Sequence, residues 1–183
     1  MAVCLLNKSL TKATVCGYSL PQIVSIYLCN FGDVTATELT KGESGAEIAS
    51  ITLADQAKWY KIEPSKNSAS WSDNLAVGAS FNKYKIHNLT FSFNGQYDGA
   101  MVDTVDAFAL GRYLAVLAMA DGSHILLGRN VGLEASDADN VTMTGSGEAG
   151  GEGGLTVVLS ANTTESAIPM TEEAVTAMKE KVA

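Results

Sequence analysis

Positive charge is scarce in this chain, and arginine scarcer still: of 183 residues only Arg112 and Arg129 carry a guanidinium. Twelve Lys and Arg face twenty Asp and Glu, for a net charge of −8. The deficit is uneven. Residues 1–85 hold eight Lys against seven acids, whereas residues 86–183 hold four basic residues against thirteen acids. An acidic C-terminal half disfavours binding to nucleic acid through its phosphates. It still permits a surface that DNA passes without sticking.

Cysteine is also sparse. Cys4, Cys16 and Cys29 lie far apart and form no CxxC pair, which removes zinc-finger and thioredoxin-like readings. His87 and His124 are the only histidines, and their spacing suggests no metal ligand set. Buried, reduced thiols and no metal or other cofactor are the expectation. No apolar run approaches the roughly 18 residues of a membrane-spanning helix. The opening "MAVCLLNKSL" has a short apolar core with no basic segment before it, so synthesis in the cytoplasm without a membrane anchor is expected. The four N-x-S/T matches, at Asn7, Asn88, Asn140 and Asn162, then read as chance.

Catalytic signatures are missing as well. There is no GxSxG elbow and no HExxH, and no two carboxylates fall in a recognisable acid–base pairing. His87 shares a strand face with apolar residues and reads as a sheet-packed histidine. His124 follows a turn and reads as a solvated loop or strand-start residue. The chain reads as a non-enzyme.

What is present is mostly strand. Segments 22–31, 47–54 and 58–64 are rich in β-branched and aromatic residues. "KYKIHNLTFSFNG" (83–95) alternates, with His87, Leu89, Phe91 and Phe93 on one face and Asn88, Thr90 and Ser92 on the other. The polar stretch 65–78 reads as a long loop or a hairpin arm carrying Trp71. Helical spacing then places Met101, Val105, Phe108, Tyr113 and Leu117 together, predicting one long helix over 101–119 that ends at "DG". Strands resume over 124–136, 140–144 and 155–160. A helical tail closes the chain over 171–183, with Thr171 as its cap and Val175, Met178 and Val182 as its apolar stripe. The expected fold is mainly β: an antiparallel β-sandwich or incomplete barrel over 1–170, one flanking helix, and a short C-terminal helix.

"GSGEAG" (145–150) fits the glycine spacing of a dinucleotide-binding turn. That turn works only where the last glycines open a helix facing the pyrophosphate. Here the strand-like "GLTVVLS" follows, and Glu148 and Glu152 place negative charge where a diphosphate would sit. The segment 145–154 therefore reads as a glycine-rich loop between two strands of a hairpin.

The order "HNLTFSFNG", then "DTVDAFALGRYLAVLAMADG", then "HILLGRNVGLEAS", continued by "GGLTVVLSANTTESAIPM", resembles bacteriophage tail-tube proteins and related virion ring proteins. The wording is closest to tail proteins of phages infecting Bacteroidetes. The resemblance covers about residues 84–170 and rests on element order more than on fixed residues. It implies a structural virion protein, located in the tail, that assembles with itself into stacked rings, commonly hexameric. Other tail or neck proteins would be its further partners, and genomic DNA would pass through without sequence-specific binding. It implies no catalytic residue.

The strand at 84–94 and those after 124 match positions that build a lumen wall in that family. The acidic excess suits such a conduit, since a negative wall repels phosphates and a basic one would trap them. Glu134, Asp137, Asp139, Glu148 and Glu152 are the candidate lumen-facing acids. The arm at 65–78 matches the place where the family inserts a contact loop, which makes Trp71, Asp73 and Asn74 candidate subunit-contact residues. Plain solubility is the simpler account of the acidity. The competing functions are a non-viral β-sandwich binding or adhesin module and, less well supported, a small hydrolase on a β scaffold.

Overall fold

A computed structural model describes residues 22–42, 45–93, 99–137, 139–145 and 154–183. The elements run β1 (Ile23–Asn30), β2 (Val34–Gly42), β3 (Gly45–Leu53), β4 (Tyr60–Ile62), β5 (Ser70–Val77), β6 (Lys83–Phe93), α1 (Gly99–Leu110), β7 (Arg112–Met119), β8 (His124–Leu127), β9 (Leu133–Glu134), β10 (Val141–Thr144), β11 (Gly154–Thr163), β12 (Ile168–Pro169) and α2 (Glu172–Lys179). A single 3-10 turn, Phe31–Asp33, joins β1 to β2. The expected class holds: mainly β, antiparallel throughout its ladders, with no closed barrel among the described residues and a short C-terminal helix.

Ten strands form one sheet and β2–β3 a separate hairpin. β7 is the hub. It pairs with β1 along one edge and with β8 and β9 along the other. The sheet continues from β9 through β11 and β6 to β5, while β4 extends it beyond β1. Two buried clusters account for the layers. On one face of β1 and β7, Leu28, Ala115 and Leu117 meet Leu89, Phe91, Val157 and Leu159 from β6 and β11, and Phe108 of α1 joins them. On the opposite face, Cys29, Leu114 and Val116 meet Ile48 of β3, Trp59 and Met178 of α2. Cys29 is free, and burial, followed by the nearby Asp33 carboxylate, pushes its thiol up to about 12.

The helix expected over 101–119 is two elements. α1 ends at Leu110, and the rest is strand β7. Gly111 makes the break: its N–H donates to Ala107 O at 2.8 Å, and the Tyr113 hydroxyl bonds the same carbonyl. A Cβ at Gly111 would lie 2.1 Å from that hydroxyl oxygen, so only glycine fits the corner. The "DG" expected to cap a helix instead turns the β7–β8 hairpin, with Gly122 at φ +89° and Asp121 Oδ1 accepting from Ser123 N and Oγ at 2.9 and 2.6 Å.

Other expectations divide similarly. The stretch 65–78 is a hairpin arm whose strand, β5, pairs with β6 from Ser70–Thr90 to Val77–Lys83. The run 124–136 is two strands, β8 and β9, parted by a turn in which Gly132 N–H donates to Gly128 O at 2.8 Å. The tail helix is capped as expected, Thr171 Oγ1 accepting from Ala174 N–H at 3.2 Å. It docks through Val175 and Met178, and beyond it the backbone of Trp59 bonds Lys181 O and Ala183 N–H. A helix of 8 residues has little stability alone, and these contacts supply what it lacks.

Candidate functional site

β5 lies at one end of the ten-stranded sheet. Only β6 pairs with it among the described residues, so its outer edge keeps unpaired backbone groups. Alternation puts Trp71, Asp73, Leu75 and Val77 on one face. Trp71 packs against the main core cluster and Asp73 turns into the body. Past Asp73 the arm outruns the body, leaving Leu75 61% and Val77 55% exposed. At the hairpin tip Phe81 is 87% exposed, with its backbone at φ +60°. A bulky residue in that region is strained. Local folding therefore explains neither its identity nor its exposure.

A polar network holds the root of the arm. Asp73 Oδ2 accepts Ala167 N–H at 3.1 Å, and Lys85 Nζ lies 3.1 Å from Asp73 Oδ1. His87, with 1% of its surface exposed, accepts Gly128 N–H on Nδ1 at 3.4 Å. Its Nε2 is buried without a hydrogen-bond partner, 4.0 Å from Asp73 Oδ1. Arg129 closes a two-pronged pair with Glu165, at 2.6 to 3.1 Å. Burial pushes the His87 imidazole below its ordinary value despite the pull of the Asp73 and Glu165 carboxylates. Burial also works to raise Asp73, but the Ala167 N–H, Lys85 and His87 together hold its carboxyl below the usual range. The geometry is that of a polar joint between the arm and the body, in which one imidazole nitrogen, His87 Nε2, is left without a hydrogen bond.

The three arm residues singled out from the sequence thus separate. Trp71 and Asp73 face inward, and Asn74 lies exposed on the other face, its Nδ2 donating to Ser72 Oγ at 3.0 Å. The apolar residues left exposed beyond the body, Leu75, Val77 and Phe81, are ones that sequence reasoning missed. A phenylalanine within the polar turn "GASFN" was the available signal.

Of the five acids, Glu134, Asp137 and Asp139 are exposed in and just after β9, whereas Glu148 and Glu152 lie outside the described residues. Glu134 is paired with Arg112 at 3.2 Å, which offsets its charge. That guanidinium also donates to Val131 O at 2.7 Å and lies over the Phe31 ring. Around the glycine-rich segment, β10 pairs with β11 from Val141–Val157 to Thr144–Gly154. The element after the glycines is therefore a strand, the reverse of what a dinucleotide turn requires.

At the other end of the sheet, a groove of about 450 Å³ opens between β4, β1 and α1. Leu28, Tyr60, Ile62, Ala107 and Phe108 give it apolar walls, and Asp103 stands at its rim. Tyr60 is 53% exposed there.

No protein-family model matches the chain, and no match was found among curated proteins or solved structures. Among the described residues no helix is long and apolar enough to cross a membrane. Nor, among those residues, do three or more His, Cys, Asp or Glu side chains converge as a metal site would require.

Proposed function

We propose that the protein is a structural virion protein of the phage tail-tube type, which self-assembles into rings that stack into a conduit for DNA. The observation that carries this reading is the arm. An edge strand with an open ladder and three exposed apolar residues, projecting past its own core, is a surface that gains by pairing with another chain. Among the described residues β4 and β5 each pair on one side only, and open edges at separate places on a β-rich subunit suit cyclic, head-to-tail assembly. The excess of nine negative charges over residues 86–183 suits a wall that DNA slides past.

The purified full chain, imaged by negative-stain electron microscopy, is expected to show rings or short tubes with a central hole. A β-sandwich binding or adhesin module is the competing reading, favoured by the apolar groove between β4 and α1. It requires a monomer whose groove takes a ligand.

A further inference from the structure

We infer that the hairpin tip of one copy, Phe81 with Leu75 and Val77, docks in the groove between β4 and α1 of the next copy. The inference rests on the self-assembly reading and specifies which two surfaces meet. Arm and groove sit at the two ends of one continuous strand path: β5, β6, β11, β9, β7, β1, β4. Contact between them is heterologous, the kind that closes into a ring or extends as a helix. The two surfaces match in chemistry. The tip presents an aromatic ring and two aliphatic side chains, and the groove walls are Leu28, Ile62, Ala107 and Phe108.

They also match in charge. Lys83 sits beside Val77 at the start of β6, while Asp103 stands at the groove rim and Asp106 is exposed on the same helix. The strained backbone at Phe81 fits this role, because nothing within the subunit offsets its cost while the side chain stays exposed. At 87% exposure Phe81 is covered by no described part of its own chain, the groove included.

The test is photo-crosslinking in the full chain with Phe81 replaced by p-benzoylphenylalanine, read by mass spectrometry of assembled material. The expected product links position 81 to peptides holding residues 60–62 or 103–108 of another subunit. Phe81→Asp and Ala107→Arg are each expected to weaken association at least tenfold in sedimentation, with an unchanged circular dichroism spectrum. Both positions are exposed, so the fold tolerates the changes. Normal assembly of both variants, or crosslinks confined to other surfaces or to residues 1–21, overturns the arm-in-groove contact and leaves self-assembly standing. A wild-type chain that is monomeric at every concentration overturns both.

Discussion

The carboxylate of Asp73, on the arm strand, accepts the backbone N–H of Ala167 at 3.1 Å, across 94 positions of sequence. The same carboxylate holds Lys85 at 3.1 Å and faces His87. The arm is therefore anchored at its root, and only the part beyond Asp73 is available to a partner. Asp73→Ala leaves a part-buried N–H without its acceptor and the Lys85 ammonium without its counter-charge, and removes the carboxylate that faces His87. It is expected to cost about 2–3 kcal/mol in urea denaturation. Asp73→Asn keeps an acceptor for Ala167 and is expected to cost less. Equal losses for the two would place the stabilisation in the charge alone.

Acid should loosen the same joint before it affects the carboxylates. The folded state holds His87 below its ordinary value of 6.5, so the unfolded chain takes up the proton first. The stability contributed by neutral His87 is fully present above 6.5 and is lost as pH falls through the lower, folded value. His124, lowered mainly by burial and then by Lys179, titrates with the same sign. Melting temperature is therefore expected to fall as pH drops below 6.5, well above the range where Asp73 protonates. His87→Gln should flatten part of that slope, and His124→Gln the remainder. A slope untouched by His87→Gln would contradict the assignment.

Phe81 should trade stability against assembly. Asparagine tolerates the left-handed backbone at φ +60° better than phenylalanine. Phe81→Asn is expected to leave the isolated subunit as stable or about 1 kcal/mol more stable, while its assembly is lost. Thermal denaturation and light scattering on one sample check both halves. A variant that melts lower and still assembles would refute the role given to this residue.

Gly111 is the corner on which the helix-to-strand change depends. Gly111→Ala would set a Cβ against the Tyr113 hydroxyl and Ala107 O, at 2.1 and 2.7 Å. It is expected to cost about 1–3 kcal/mol by chemical denaturation, the usual range for overpacking. A neutral effect would mean that α1 can continue past Leu110.

Particular residues show why some of this was legible in the sequence. β6 has one buried face, and its His87–Leu89–Phe91 alternation is plain in the letters. β7 is buried on both faces, so "YLAVLA" carries no alternation and matches a helical spacing as well as a strand. The local punctuation did point the right way, since "DG" between two apolar runs is a strong hairpin signal and Gly111 stops α1. β2, with its Val, Thr and Leu residues, was passed over, and its ladder becomes evident only beside β3.

The candidate site was legible in its location and not in its residues. The stretch 65–78 did prove to be an arm, yet Asp73 turns inward because Lys85, His87 and the Ala167 N–H lie there. Those partners sit 12, 14 and 94 positions away in sequence. The groove joins β4, β1 and α1, so it exists only in the folded chain.

The central claim is self-assembly, and light scattering of the purified full chain across concentration, with negative-stain imaging of the same sample, tests it most directly. The expected result is a mass that is a multiple of the 19.1 kDa chain, with closed rings or tubes that have a central hole. A uniform 19.1 kDa species at every concentration would contradict it.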